Sequence, residues 1–174
     1  MIFQTERLTV KPIQPTHKNE FIELLCANEV ITAIPQEKPS IEEVYKKFEE
    51  AVNFNGNILN NNRSLLGVFL HDDDDEMIGL VAFLTNDEQD KEIGYRFRKK
   101  YWGKGYATEI TQGMITYAFS ELQIPKITAD VWVENKASER VLKKFFTPVK
   151  EFYNSKDNCT DKRYELLKED WDLC

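Results

Sequence analysis

The stretch Glu92-Ile-Gly-Tyr-Arg-Phe-Arg-Lys-Lys-Tyr-Trp-Gly-Lys-Gly-Tyr-Ala-Thr-Glu109 restricts the possible folds more than any other part of the chain. It opens as a strand, because Ile93, Tyr95 and Phe97 alternate with Glu92, Gly94 and Arg96. It then turns through Gly103-Lys104-Gly105, where glycine admits backbone conformations and close approaches that a Cβ forbids. From about Thr108 to Glu121 the spacing predicts a helix, with Ile110, Met114, Ile115, Ala118 and Phe119 on one face. Strand, glycine loop and helix start together make an anion site. The unpaired amides of a helix's first turn point outward, and the helix dipole favours negative charge there.

The rest of the chain supplies what this stretch packs against. Thr5 to Ile13 reads as an opening strand, with Leu8 and Val10 on one face and Pro12 near its end. His17 to Ala27 is an amphipathic helix carrying Phe21, Ile22, Leu24 and Leu25, announced by Pro15-Thr16. Ser40 and Glu43 form a capping box for a helix bearing Ile41, Val44, Tyr45, Phe48 and Val52 and ending near Asn55-Gly56. After a polar loop at Asn57 to Asn62, strands at Arg63 to Leu70 and Met77 to Thr85 flank the acidic run His71-Asp-Asp-Asp-Asp-Glu76. Adjacent aspartates on a short turn cannot all converge on one ion, so the run reads as a solvated hairpin tip. Asn86 to Lys91 is a further polar turn. Beyond the break at Ile124-Pro125, Lys126 to Val133 alternates as a strand, with Ile127, Ala129, Val131 and Val133 on one face. Asn135 to Leu142 opens a helix that ends near Phe146-Thr147-Pro148. Val149 to Tyr153 and Lys162 to Leu167 are the last strands, joined by a polar connection from Asn154 to Asp161. The strand-helix-strand unit from Glu92 to Val133 places two strands parallel through a right-handed crossover. The predicted fold is therefore α+β: a mixed, mostly antiparallel sheet with a central β-α-β unit flanked by helices, in one domain over residues 1–174.

Composition excludes several classes. A chain of 174 residues, 41% hydrophobic and 30% charged, can bury a full core and has ordinary globular proportions. No apolar run approaches the roughly 20 residues of a membrane span, and Met1 to Arg7 lacks the marks of a signal peptide. Cys26, Cys159 and Cys174 share no metal-ligand or disulfide spacing, which fits a reducing cytoplasm and no metal. A formal charge of -7 argues against direct nucleic-acid binding and is compatible with a cationic substrate.

Several readings of the loop compete. A nucleotide P-loop requires G-x-x-x-x-G-K-[ST], whereas Gly103 and Gly105 are too close and Lys104 lies between them. A dinucleotide fingerprint requires glycine where Thr108 stands. Coenzyme A, whose pyrophosphate can sit on a short loop at a helix start, remains, with Lys104 adding charge; so does a tight turn with no ligand.

The surrounding residues resemble the GNAT superfamily of acyl-CoA-dependent N-acetyltransferases, in particular its RimJ/RimL-type, ribosomal-protein-acetyltransferase-like branch. The likeness rests on Thr5-Glu6-Arg7-Leu8, on Glu92 to Tyr95 with Tyr101 to Glu109, and on Glu134-Asn-Lys-Ala-Ser-Glu-Arg-Val-Leu142. The tail Tyr164 to Trp171 is also similar, so the likeness covers essentially the whole chain. It implies transfer of an acetyl group from acetyl-CoA to a primary amine, on a small molecule or a protein N-terminus, in a ternary complex without metal. It also implies a soluble protein with no membrane partner, either a monomer or a homodimer. By the same likeness, amides of Gly103, Lys104, Gly105, Tyr106, Ala107 and Thr108 hold the pyrophosphate, with Trp102 in place of the usual basic or amide residue. The pantetheine arm pairs with backbone near Phe97 and Arg98 in a cleft between splayed strands, and Asn135 contacts it or positions the thiol end.

Two residues are candidates for the chemistry. Glu92 is a general base by resemblance, or simply a polar residue on an alternating strand. Ser138 is the donor to the leaving thiolate, replacing a tyrosine found elsewhere in the superfamily at the position of Leu142, or it merely occupies the first turn capped by Asn135. A backbone amide near Phe97 is the implied oxyanion donor. Tyr95 and Tyr101 read as packing residues, and His17 and His71 as surface residues. Phe146-Thr147 stands where the family usually has a glycine-phenylalanine pair, which should alter the turn beside the acceptor site. A CoA-binding sensor without turnover is the alternative from another class, and a nucleotide-binding protein a third reading.

Overall fold

A computed structural model describes residues 1–32, 38–73 and 75–173; Asp74 of the acidic turn and Cys174 lie outside the described residues. The helices are α1 (Lys18–Cys26), α2 (Asn28–Ile31), α3 (Ile41–Val52), α4 (Tyr106–Ser120), α5 (Lys136–Leu142) and α6 (Lys168–Trp171). The strands are β1 (Phe3–Gln4), β2 (Leu8–Lys11), β3 (Arg63–Leu70), β4 (Gly79–Thr85), β5 (Lys91–Phe97), β6 (Lys126–Trp132), β7 (Thr147–Asn154) and β8 (Cys159–Leu167). They form a sheet in the order β1-β2-β3-β4-β5-β6-β8-β7. Among the described residues only β5 and β6 pair in parallel, joined through α4, so the sheet is mixed and mostly antiparallel as the spacing predicts. Among the described residues no helix is long and apolar enough to cross a membrane.

The two faces of the sheet are covered differently. Helix α4 buries the five residues expected of it, Ile110, Met114, Ile115, Ala118 and Phe119, each at most 1% exposed, against Val81, Phe83, Ile93 and Ile127. Full burial of each large side chain contributes about 1.5–3 kcal/mol, which holds the loop in front of α4 against the sheet. On the other face, Phe21 and Leu24 of α1 and Val44 and Phe48 of α3 pack on Phe69, Met77 and Leu80. Helix α3 begins as predicted: Ser40 Oγ accepts from Glu43 N at 3.2 Å, and Glu43 Oε2 accepts from Ser40 N at 2.8 Å.

Several local expectations are corrected. The strand expected from Thr5 to Ile13 is a strand only over Leu8–Lys11, and Phe3–Gln4 pairs with it as a hairpin closed by Thr5 N donating to Leu8 O at 2.9 Å. The turn is fixed by a tertiary partner, because Thr5 Oγ1 and Arg7 N both donate to Glu109 Oε1 at 2.6 and 2.7 Å. His17 is buried rather than on the surface: its Nδ1 accepts from Gln14 N at 3.0 Å and its ring packs on Phe69. Burial lowers its pKa below the ordinary histidine value. His71 is exposed, with Nε2 3.0 Å from Leu8 O. On α3, Ile41 and Tyr45 of the predicted apolar face are exposed, and Ala51 is buried beside Val44 and Phe48 instead.

The feature that positions the site is the short pairing of β5 with β6. Only Lys91 with Ile127 and Glu92 with Thr128 are in register, after which the strands part. On its other edge β5 pairs with β4 through Phe97, and Arg98 N donates to Ile78 O at 3.0 Å. Ladder bonds in an antiparallel pair fall on alternate residues, so the backbone groups of Tyr95 and Phe97 face the gap left by β6. Side chains alternate as well. Leu80, opposite Arg96, packs with α1 and α3, so Glu92, Gly94 and Arg96 face that side while Ile93 and Phe97 face α4.

Candidate active site

On the α4 face, the loop after β5 takes the form that an anion requires. Gly103 and Gly105 have φ of 73° and 84°, left-handed values that side chains with a Cβ rarely adopt. Gly105 is the N-cap of α4, so the helix starts at Tyr106, two residues before the periodicity suggested. Its carbonyl accepts from Thr108 N at 3.1 Å and Glu109 N at 3.2 Å. Of the amides expected to hold a pyrophosphate, that of Thr108 is therefore already engaged within the helix, leaving Tyr106 and Ala107 as the first-turn donors.

A cavity of about 380 Å³ opens against this loop. Of the residues predicted for the cofactor, Phe97, Gly103, Gly105 and Tyr106 line it, as do Ala107, Thr108 and Asn135. Arg98 and Lys104 do not. The Arg98 amide is used by Ile78, and its guanidinium is ion-paired to Glu23 and Glu76 at 2.8 and 2.5 Å. Lys104 Nζ lies over the Tyr101 ring, 5.1 Å from its centroid. The Phe97 carbonyl is also taken, accepting from Trp102 Nε1 at 2.7 Å; the indole that replaces the family's basic or amide residue thus ties the loop to the end of β5.

Two cations to which the sequence assigned no role at the loop stand there. Arg7 donates through Nε to Glu109 Oε2 at 2.7 Å and through Nη1 to Lys104 O at 3.1 Å, and it stacks over Tyr106. Lys144, just past α5, donates to Thr108 Oγ1 at 3.1 Å. Nothing in the spacing ties either one to the loop, although Arg7 lies in a block of the family likeness, because each reaches it from a remote part of the chain.

A second cavity, of about 640 Å³, includes Glu92, Gly94 and Asp130 in its walls. The two cavities share Tyr95, Arg96, Asn135 and Ser138, so they meet at the gap between β5 and β6. Glu92 reaches only the second. Burial, reinforced by the nearby carboxylates of Asp130, Asp161 and Asp87 and opposed by Arg163, pushes its pKa up to about 8. Arg163 is itself buried, gripping Asp130 through Nε at 2.9 Å and Nη2 at 2.7 Å, and Asp87 at 2.6 Å.

Asn135 and Ser138 sit where α5 begins: Asn135 Oδ1 accepts from Ser138 N at 3.1 Å, the capping arrangement the sequence allowed. Tyr95, read from sequence as packing, joins the core cluster yet also lines both cavities. Burial raises its pKa, and hydrogen bonding with Ser138 offsets part of the rise. Tyr101 packs in the core and donates to Glu76 Oε2 at 2.6 Å. After α5 the chain turns with none of its residues at positive φ, and Phe146 is buried. The missing glycine is thus accommodated by a right-handed turn, with Phe145 N and Phe146 N both bonded to Leu142 O.

A glycine loop at a helix start, a carboxylate-bearing cavity and parted parallel strands between them are the parts of an N-acetyltransferase. Residues 7–145 match the family model described as acetyltransferase (GNAT) domain, and the chain belongs to that family. An uncharacterized N-acetyltransferase of Bacillus subtilis, YnaD, is 28% identical over 98% of this chain and 99% of its own. The FsC-acetyl coenzyme A-N(2)-transacetylase of Aspergillus fumigatus is 26% identical over 96% of this chain and 76% of that protein. The match to the uncharacterized N-acetyltransferase p20 of Bacillus licheniformis is 40% identical but spans only 39% of each chain. Among solved structures, a GNAT-family acetyltransferase from Bacillus anthracis superposes with a TM-score of 0.78 at 23% identity, covering 95% of this chain and 98% of that one. A RimL structure in complex with coenzyme A gives 0.73 at 20% identity, over 95% and 97%.

Gly105 tests the loop. A valine there would be forced into a left-handed conformation costing about 1–2 kcal/mol and would bring a Cβ to 3.4 Å from Arg7 Nη2. Gly105→Val is expected to lower CoA affinity at least ~10-fold, equivalent to about 1.4 kcal/mol, in a calorimetric titration. Undiminished binding would place the pyrophosphate elsewhere.

Proposed function

We propose that this chain is a single-domain, acetyl-CoA-dependent N-acetyltransferase that moves the acetyl group directly to a primary amine in a ternary complex. The observation that carries the reading is the meeting of the two cavities at the gap between β5 and β6, one facing the glycine loop and the other holding Glu92. Acetyl-CoA lies in the first, its pyrophosphate on the amides of Tyr106 and Ala107 with Arg7 and Lys144 nearby. The amine enters through the second. Glu92, directly or through a water, takes the proton of the bound ammonium, and the freed lone pair attacks the thioester carbon. A backbone N–H of β5 that faces the gap, such as that of Phe97, donates to the oxyanion. When the C–S bond breaks, Ser138 gives its proton to the thiolate sulfur and takes back the extra proton carried by the attacking nitrogen, leaving a neutral amide and the free thiol of CoA.

Glu92 suits this role because its pKa lies near the working pH, where a general base is most effective. The free thiols of Cys26 and Cys159 fit a reducing compartment such as the cytoplasm.

The experiment mixes protein, acetyl-CoA and a panel of amines, including peptides with free N-termini, and follows release of free thiol. Amine-dependent thiol release is expected, and Ser138→Ala should lower kcat by about 10²-fold, the lower end of a general acid-base contribution. The KM for acetyl-CoA should change much less. Tight CoA binding with no transfer to any amine would show a sensor rather than an enzyme.

A further inference from the structure

The acceptor cavity holds an uneven set of charges. Its carboxylates are mostly engaged: Asp87 and Asp130 by Arg163, Asp157 and Asp161 by the side-chain amide of Asn154. Arg96 and Lys156, which line the same cavity, have no ion pair among the described residues. Arg96 spends one donor on the Leu24 carbonyl of α1, at 3.3 Å, and keeps the rest of its guanidinium for the cavity. Lys47 of α3 lies within the field of both Arg96 and Lys156, and of Arg63 as well. Glu43 of α3 caps Ser40 and also lies within the field of Lys47 and Lys156. Although the whole molecule is anionic, Arg96 and Lys156 thus bring to this cavity two cations that no carboxylate pairs among the described residues.

The floor relates these cations to the reacting end. Glu92, Gly94 and Arg96 occupy one face of β5, and a Cβ added at Gly94 would meet nothing within 4 Å. The strand thus leaves an open strip between an acid at one end and an unpaired guanidinium at the other, with Cα atoms roughly 13 Å apart at extended-strand spacing.

We infer that the acceptor is a small amino carboxylate, with its amine at Glu92 and its carboxylate, several bonds away, held by Arg96 with help from Lys156. Planar, multiply donating guanidinium groups bind carboxylates in pairs of hydrogen bonds, and an arginine without a carboxylate partner gains most from one brought by a ligand. The overall charge alone pointed towards a cationic acceptor; the local pairing reverses that.

This inference rests on the proposed acetyl transfer, and its test separates the two. Rates are compared for 5-aminopentanoate, pentylamine and spermidine, in wild type, Arg96→Gln and Lys156→Gln. The wild type is expected to prefer 5-aminopentanoate over pentylamine by at least ~10-fold in kcat/KM, the size of one charge-assisted pair of hydrogen bonds. Arg96→Gln should abolish that preference and Lys156→Gln reduce it. The ratio of two amines on one variant cancels any change in acetyl-CoA binding, and melting curves confirm folding. In parallel, calorimetry measures binding of the same three amines to the CoA-bound protein, which reads the inference even without turnover. Selective binding or turnover of the amino carboxylate that disappears in Arg96→Gln sustains it. A wild-type preference for pentylamine or spermidine, or an equal loss on both amines in Arg96→Gln, overturns it. Absence of turnover with carboxylate-selective binding intact would remove the transferase reading alone.

Discussion

Glu92→Gln should lower kcat/KM for the amine by about 10²–10⁴-fold, the usual contribution of a positioned general base, while CoA affinity measured by calorimetry stays unchanged. The variant retains shape and removes the titrating group. In the wild type, the rate should climb about tenfold per pH unit below the Glu92 pKa of about 8 and level off above it. Alkylamines titrate higher, so an inflection near 8 that vanishes in Glu92→Gln belongs to Glu92. If both proteins keep the same inflection, the base lies elsewhere.

The same residue has a signature in stability. Its folded-state pKa is raised above the ordinary carboxylate value, so the fold favours the protonated form. That contribution is fully present below the unfolded-state value of about 4.3 and is lost as pH rises through about 8. Glu92→Gln should therefore gain stability relative to wild type above pH 8 compared with pH 6, a crossover visible in melting curves at the two values.

The second large effect is structural. Arg163 is buried and grips Asp130 by two bonds and Asp87 by a third. Arg163→Leu would leave those carboxylates beside Glu92 without their cation. Breaking a buried pair by removing one partner costs about 3–5 kcal/mol, read as a shift of the urea midpoint at pH 7. Arg163→Lys, which keeps the charge but not the planar fork, should lose less. A loss below ~1 kcal/mol in Arg163→Leu would mean that the pair is effectively solvated and contributes no more than a surface bridge.

What could be read from the sequence follows from range. The buried face of α4 was legible because helix geometry converts a spacing of three and four residues into one stripe, and five side chains obey it. The Ser40–Glu43 box was legible because both partners lie within one turn. The glycine loop was legible because side chains with a Cβ rarely adopt the φ values found at positions 103 and 105. His17 was misread as exposed, since no local pattern shows that a 3-10 turn aims its ring at Phe69. The place of Arg98 was not legible, since only the register of β5 on β4 shows its amide engaged with Ile78.

By itself the sequence determined the elements, the parallel crossover and the loop, because periodicity, capping and glycine chirality act over a few residues. Only the tertiary structure decided which groups meet. Thr5 and Arg7 close on Glu109 across about a hundred residues, which explains why two remote sequence blocks form one loop support. Lys144 reaches Thr108, and Arg163 joins Asp87 to Asp130 beside Glu92. A pKa or a cavity wall depends on burial and on charges gathered from separate strands. The chain acquires both only when β5 and β6 part and β8 folds back beside them.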